Sequence, residues 1–124
     1  MVKTILVVDD DPGVIYTVKR GLESLDSDYH VVCVESGEKC LEMLEHNQIP
    51  DLILLDIMMP DMSGWETHNK IKNNLSWRNI PVVFLTARTN RVAKDDGSFL
   101  AEDYIEKPFE ISELKQRIDK ILKT

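Results

Sequence analysis

Five side chains that could handle a phosphoryl group lie at the ends of four apolar stretches of the sequence. A cluster of carboxylates is repulsive unless a cation joins it, and Mg²⁺ is a cation that prefers oxygen ligands. A lysine and a hydroxyl group would supply the positive charge and the hydrogen-bond donor that a transferring phosphoryl group requires. If these side chains meet, the implied chemistry is magnesium-assisted phosphoryl transfer to a carboxylate. The five are Asp9, Asp10, Asp56, Thr86 and Lys107.

Each of these residues has an ordinary explanation when it is taken alone. Adjacent aspartates such as Asp9 and Asp10 are often solvated or cap a helix, and Asp56 could simply begin a turn. We assign the capping role to Asp11, because Pro12 follows it and suits the first turn of a helix. The functional interpretation depends on the joint placement of the five at successive strand ends, which a solvated surface would rarely produce.

The elements that must position these side chains are predicted by four continuous apolar runs that alternate with segments of helical periodicity. Such runs are typical of parallel strands covered on both faces, and strands alternating with helices indicate an α/β fold. We expect a doubly wound, five-stranded parallel sheet, whose ligands bind beyond the carboxyl ends of the strands. The predicted strands are Ile5–Val8, Val31–Val34, Leu52–Leu55 and Val82–Leu85, with a weaker fifth around Tyr104 and Ile105.

Five helices are expected to cover the two faces of this sheet. The first is capped by Asp11, the second begins near Ser36 and the third follows Gly64, while a short helix is expected between Thr86 and Tyr104. The last helix has the clearest periodicity, and its cations Lys115, Arg117 and Lys120 are interpreted as a solvated face. The residues expected to face inward are Val14, Ile15, Val18, Leu22 and Leu25, then Cys40, Leu41 and Leu44, then Trp65, Ile71 and Leu75, and finally Ile111, Leu114, Ile118, Ile121 and Leu122.

The composition narrows the functional class. A chain of 124 residues suits one domain, predicted to span residues 1–124. The net charge of -7 opposes binding to nucleic-acid phosphates or anionic membranes. No stretch approaches the roughly 20 apolar residues of a membrane span, and the first residues lack the pattern of a signal peptide, so we expect a cytoplasmic protein. The two cysteines have no metal-ligand or redox spacing.

Four motifs together resemble the response-regulator receiver domains of two-component systems, and the resemblance runs over essentially the whole chain. The resemblance implies a flavodoxin-like sheet of strand order 2-1-3-4-5. It also implies a signalling domain that catalyses only its own phosphoryl transfer and dephosphorylation. The motifs are ILVVDDD at residues 5–11, DLILLDIMMPDMSG at 51–64, PVVFLTA at 81–87 and DYIEKPF at 103–109.

The resemblance assigns the metal site and the acceptor residue by residue. Asp56 matches the phospho-accepting aspartate of the family. Asp10 matches the direct ligand of Mg²⁺, and Asp9 matches the neighbouring aspartate that usually acts through water. The backbone carbonyl of Met58 matches the main-chain metal ligand. These individual roles are what the resemblance implies, whereas the residues themselves indicate a carboxylate cluster suited to Mg²⁺ and to phosphoryl transfer.

The resemblance also assigns a switch. Thr86 and Lys107 match residues that contact the phosphoryl group, Tyr104 matches an aromatic side chain that turns inward after phosphorylation, and the Lys107–Pro108 bond matches a cis peptide. The implied partners are a sensor histidine kinase as phosphoryl donor and a downstream effector or output domain, and the sequence leaves phosphorylation-driven homodimerisation open. Met58 and Arg88 match positions that tune the lifetime of the phosphorylated form.

Three rival functions remain to be weighed. A flavodoxin-like electron carrier has the same fold, but consecutive aspartates from Asp9 to Asp11 would repel a flavin phosphate. A magnesium-dependent phosphatase with an aspartyl nucleophile commonly carries a second acid where this chain has Met58. A degenerate receiver that acts only as an interaction module is less economical, since the acceptor, hydroxyl and lysine positions are all filled.

Overall fold

The computed structural model describes residues 2–87 and 102–122. Strands and helices alternate along the chain until β4, as the apolar runs predicted. No helix in these two stretches is long and apolar enough to cross a membrane. The strands are β1 (Lys3–Val8), β2 (Tyr29–Val34), β3 (Leu52–Asp56), β4 (Val82–Thr86) and β5 (Asp103–Glu106), and the helices are α1 (Pro12–Leu25), α2 (Gly37–Glu45), α3 (Gly64–Lys72) and α4 (Ile111–Leu122).

The five strands form one parallel sheet in the order β2-β1-β3-β4-β5. This confirms the predicted flavodoxin-like topology. Val8 of β1 pairs with Leu55 of β3, so the residues that follow them emerge side by side at the carboxyl edge of the sheet. The order reverses at β1, where the chain crosses from β2 to β3, and ligands of open α/β sheets bind at such a point.

Alternate residues of each strand face opposite layers, which explains why the strands are apolar throughout. In β1, Ile5 and Val7 pack in the layer that contains Val18 of α1 and Ile118 of α4. Leu6 and Val8 face the other layer, which α2 and α3 cover. The buried helical residues of that second layer include Cys40, Leu44 and Ile71.

Each of the first three helices begins with a side-chain cap, and the cap at Asp11 was predicted from the sequence. The Asp11 carboxylate accepts a hydrogen bond from the Gly13 N–H at 2.8 Å, and Pro12 occupies the first turn of α1. The Ser36 hydroxyl caps α2, and the Ser63 hydroxyl caps α3 by accepting the Glu66 N–H. Each cap satisfies a backbone donor that has no partner within the helix.

Several predictions about exposure and bounds were wrong. Leu25 is 52% exposed because it is the last residue of α1 and the chain turns away at Asp26. Leu75 is 79% exposed, since α3 ends at Lys72 and does not reach it. Strand β2 begins two residues earlier than predicted, at Tyr29, which pairs with Lys3 of β1.

The cations of the last helix are not simply solvated. The Lys115 ammonium binds the Asp119 carboxylate at 2.7 Å, and the Tyr29 hydroxyl donates to the same carboxylate. Arg117 binds the Asp103 carboxylate at 3.0 Å and also donates to the Tyr104 carbonyl oxygen. Arg117 therefore ties α4 to β5, and Lys115 supports the Asp119 carboxylate that ties α4 to Tyr29 of β2, whereas Lys120 is exposed as expected. The helix predicted between Thr86 and Tyr104 lies largely outside the described residues.

Candidate functional site

Three carboxylates meet at the carboxyl edge of the sheet because β1 and β3 are neighbours. Asp9 and Asp10 follow β1, and Asp56 is the last residue of β3. One oxygen from each lies within 4.8 Å of the others, in a group that could hold a metal ion. Asp9 and Asp56 are buried, whereas Asp10 is exposed. The cluster thus has two buried carboxylates and one that opens to solvent.

Lys107 directly follows β5, and its side chain reaches this acidic cluster. Its ammonium nitrogen lies 2.8 Å from Asp9 Oδ2 and 3.3 Å from Asp56 Oδ1. Burial alone would lower the pKa of Lys107, but the hydrogen bonds and charges of Asp9 and Asp56 outweigh burial and raise it. Lys107 is therefore a fixed positive charge between two buried carboxylates. The Lys107–Pro108 peptide bond is cis, as the resemblance implied.

The Asp56 carboxyl has a pKa well above that of an ordinary aspartate. Burial and the neighbouring Asp9 charge raise the pKa of Asp56 to about 6, although Lys107 and a backbone hydrogen bond from Met58 act in the opposite direction. One lysine is therefore not enough to compensate the buried negative charge. A second cation bound at the cluster would favour the ionised form further.

Asp9 is held in place by two hydrogen bonds. Its Oδ1 accepts the Asp11 N–H at 2.9 Å, while Oδ2 accepts from Lys107. The sequence assigned Asp9 to the metal site and Lys107 to the phosphoryl group, and it gave no signal of a direct bond between them. That bond depends on the distance across the sheet from β1 to β5, which spacing along the chain does not reveal.

Gly64, which in the sequence marks only the start of a helix, also positions the backbone of Asp56. A Cβ atom at Gly64 would lie 2.2 Å from the Asp56 carbonyl oxygen and 2.7 Å from Ile57 Cα. The Gly64 N–H also donates to the Ile57 carbonyl oxygen at 2.8 Å. The first turn of α3 therefore rests directly on the backbone of Asp56, and only glycine allows this approach.

The remaining predicted site residues are placed as follows. Met58 follows Asp56 by two residues, and its side chain is 65% exposed. Thr86 ends β4 and pairs with Glu106, but the position of its hydroxyl group is not described. Tyr104 of β5 is only 6% exposed and lies in the apolar layer beneath α3. Arg88 lies outside the described residues.

The family whose sequence pattern matches is described as the response regulator receiver domain, and the match covers residues 5–119. This chain belongs to that family. It is thus a phosphorylation-dependent receiver domain of two-component signalling systems. The acidic cluster at the carboxyl edge of the sheet is compatible with the magnesium site of such receivers.

Two relatives place the receiver within longer proteins. The chain is 44% identical over 116 residues to a protein of Vibrio cholerae named "Probable cyclic di-GMP phosphodiesterase", a match that covers 93% of this chain and 25% of the relative. It is 36% identical over 121 residues to the heme response regulator HssR of Staphylococcus saprophyticus, covering 97% of this chain and 51% of the relative. The chain thus spans a quarter to about half of the length of these relatives.

One similar solved structure is also a receiver. It is the receiver domain of a sensor histidine kinase from Pseudomonas aeruginosa, with a magnesium ion coordinated in its active site cleft. Its TM-score with this chain is 0.87 at 26% sequence identity, and the match covers 100% of both chains.

Proposed function

We propose that Asp56 is the phosphoryl acceptor of this receiver domain, taken as residues 1–124. The observation that carries the proposal is the buried Asp56 carboxylate, which lies 3.3 Å from the Lys107 ammonium within a cluster of three acidic side chains. A structural acid would not require two further carboxylates beside it. The arrangement instead gives a nucleophile a cation on one side and a metal-binding group on the other.

The reaction is transfer from a phosphohistidine of a sensor kinase. An oxygen of the Asp56 carboxylate attacks phosphorus, a phosphorus–oxygen bond forms and the phosphorus–nitrogen bond breaks. The electron pair of that bond remains on the imidazole nitrogen, which takes up a proton. Lys107 lies close enough to Asp56 to contact the new phosphoryl group, whose negative charge its ammonium would stabilise. Above its pKa of about 6, Asp56 is mainly ionised and able to attack.

We also propose that the cluster binds Mg²⁺. The chemistry of the donor set fits, because Asp9, Asp10 and Asp56 offer oxygen ligands within 4.8 Å of one another. The backbone carbonyl of Met58 would complete the protein ligands. The bound ion would neutralise part of the charge on the transferring phosphoryl oxygens. The magnesium ion of the Pseudomonas aeruginosa receiver supports the assignment by similarity.

The consequence of phosphorylation is proposed to be a change in the face formed around β5 and α4. Thr86 would move toward the phosphoryl group, and Tyr104 would respond on the adjacent strand. A downstream effector or an output domain would then read that face, and a homodimer formed on phosphorylation is one such reader. The relatives support an output domain, since each extends well beyond the region that matches this chain.

The test is phosphorylation of the purified protein by acetyl phosphate, read by intact mass. We expect one phosphoryl adduct in the presence of Mg²⁺, none after chelation of the metal, and none in Asp56→Asn. The matched control is Asp61→Asn, which removes an exposed carboxylate from the loop between β3 and α3. The backbone φ of Asp61 is 67°, a conformation that asparagine also tolerates.

The control variant should be labelled like the natural protein. Loss of labelling in both variants would indicate damage to the loop and not removal of the acceptor. An unlabelled natural protein, under conditions that label another receiver, would contradict the proposal and favour an interaction module that does not depend on phosphorylation. Steady turnover of external phosphoesters would instead favour a phosphatase.

A further inference from the structure

Three aromatic side chains connect the first turn of α3 to β5. The Trp65 ring centroid lies 4.7 Å from that of Phe84 and 6.4 Å from that of Tyr104, and Phe84 and Tyr104 stack at 5.3 Å. Phe84 is completely buried between α3 and the sheet. Trp65 is therefore part of the wall against which the Tyr104 ring lies.

Trp65 is also next in sequence to the residue that touches the acceptor backbone. Gly64 approaches the Asp56 carbonyl oxygen too closely to accommodate a Cβ atom, so the backbone of α3 is in direct contact with the backbone of Asp56. The Ser63 hydroxyl caps the same turn, which limits how it can rearrange. A displacement of the Asp56 backbone toward α3 would therefore press on the first turn of that helix, where Trp65 lies.

We infer that Trp65 is a positioning residue that holds Tyr104 in its inward orientation and links that orientation to the backbone of Asp56. This is a second connection between the two residues, distinct from the hydroxyl of Thr86. The geometry supports it because the Tyr104 side chain is buried against Phe84 and Trp65. Burial also raises the pKa of the Tyr104 hydroxyl to about 12, as expected of a ring turned inward.

The link to Asp56 rests on the proposed function, whereas the effect of Trp65 on Tyr104 does not. Simple core packing makes a different prediction. A Trp65 that served only as filler would affect the stability of the domain when replaced, but the environment of Tyr104 in the folded protein would stay the same. The experiment must therefore report on Tyr104 itself.

The probe is fluorine NMR of the full chain labelled with 3-fluorotyrosine. The protein has three tyrosines, so the spectrum is simple, and Tyr104→Phe identifies the Tyr104 resonance. In Trp65→Leu we expect this resonance to move toward the exposed position and its solvent isotope shift to increase. Loss of an aromatic pair should change the ratio of inward to outward forms by about fivefold. Trp65→Phe keeps a ring and should restore most of the natural spectrum.

Trp77→Leu is the matched control, because it removes the other tryptophan of the chain. Trp77 packs against the same apolar layer, but it lies in the turn that enters β4 from the amino edge of the sheet. It makes no ring contact with Tyr104 within the described residues. The Tyr104 resonance should be unchanged in this control, even if the domain is less stable.

Intact mass and fluorine spectra are then recorded together, before and after treatment with acetyl phosphate and Mg²⁺. The inference is supported if formation of the adduct shifts the Tyr104 resonance in the natural protein and if this shift is at least halved in Trp65→Leu. A Tyr104 resonance identical in Trp65→Leu and the natural protein overturns it. Absence of an adduct counts against the proposed function alone, and the unphosphorylated spectra then decide whether Trp65 holds Tyr104.

Discussion

Replacement of Asp56 by asparagine should stabilise the metal-free domain at neutral pH. Ionised Asp56 is unfavourable in the folded protein because burial and the Asp9 charge raise its pKa from 3.8 to about 6. At about 1.4 kcal/mol for each pH unit, that increase corresponds to about 3 kcal/mol. Asparagine removes this cost and leaves Lys107 paired with Asp9.

The sign of the pH dependence follows from the same pKa values. Asp56 has a raised pKa in the folded state, so its contribution to stability is fully present below pH 3.8 and is lost as the pH rises through about 6. Asparagine does not titrate. The advantage of Asp56→Asn should therefore be about 3 kcal/mol at pH 7.5, about half of that at pH 5, and near zero well below pH 4.

The assay is urea unfolding across this pH range, with a chelator present to exclude divalent ions. Asp61→Asn provides the control for loss of one charge from the same loop, and its stability should follow that of the natural protein. Saturating Mg²⁺ should narrow the gap between Asp56→Asn and the natural protein, since a bound cation reduces the cost of ionising Asp56. An Asp56→Asn variant no more stable than the natural protein at pH 7.5, or an advantage independent of pH, would refute the reasoning.

Three further predictions concern residues between Asp56 and the first turn of α3, and the third of them also includes Arg88. Gly64→Ala should destabilise the domain by about 1–3 kcal/mol and slow phosphorylation by acetyl phosphate, because its methyl group would overlap the Asp56 carbonyl oxygen; labelling at the natural rate would contradict this. Ser63→Ala should cost about 1 kcal/mol in urea unfolding through loss of the α3 cap while leaving the phosphorylation rate intact. Met58→Ala should shorten the lifetime of the phosphorylated form about twofold or more by opening access to water, and Arg88→Ala should also alter that lifetime. The lifetime is measured from the decay of a radioactive phosphoryl label. Unchanged lifetimes in both variants would show that neither residue tunes hydrolysis.

The sheet and the convergence of the acidic residues could be predicted from the sequence for a physical reason. Strands buried on both faces must be apolar throughout, so polar residues that interrupt them mark the points where the strands leave the core. In a parallel sheet those points lie along one edge, which brings Asp9 and Asp56 together. The apolar runs and the polar residues that end them therefore predict both the fold and the location of the acidic cluster.

What the sequence could not supply depends on distances between elements remote along the chain. The bond from Lys107 to Asp9 joins residues on opposite sides of two intervening strands in the sheet order. The contact of Gly64 with the Asp56 backbone is set by how closely α3 packs on β3. The ion pair between Arg117 and Asp103 converts a residue predicted to be solvated into an anchor of α4. Helical periodicity identifies a polar face but not the partners of its charges.

The bond between Lys107 and Asp9 also bears on how the proposed phosphorylation could change the domain. The ammonium now compensates two buried carboxylates, and the pKa of Asp56 remains raised in spite of it. A phosphoryl group on Asp56 would bring additional negative charge within reach of Lys107 and compete with Asp9 for the same cation. Asp9 would then rely more heavily on a bound metal ion and on the Asp11 N–H. Metal binding and phosphorylation should for this reason favour one another, each reducing the electrostatic cost of the other.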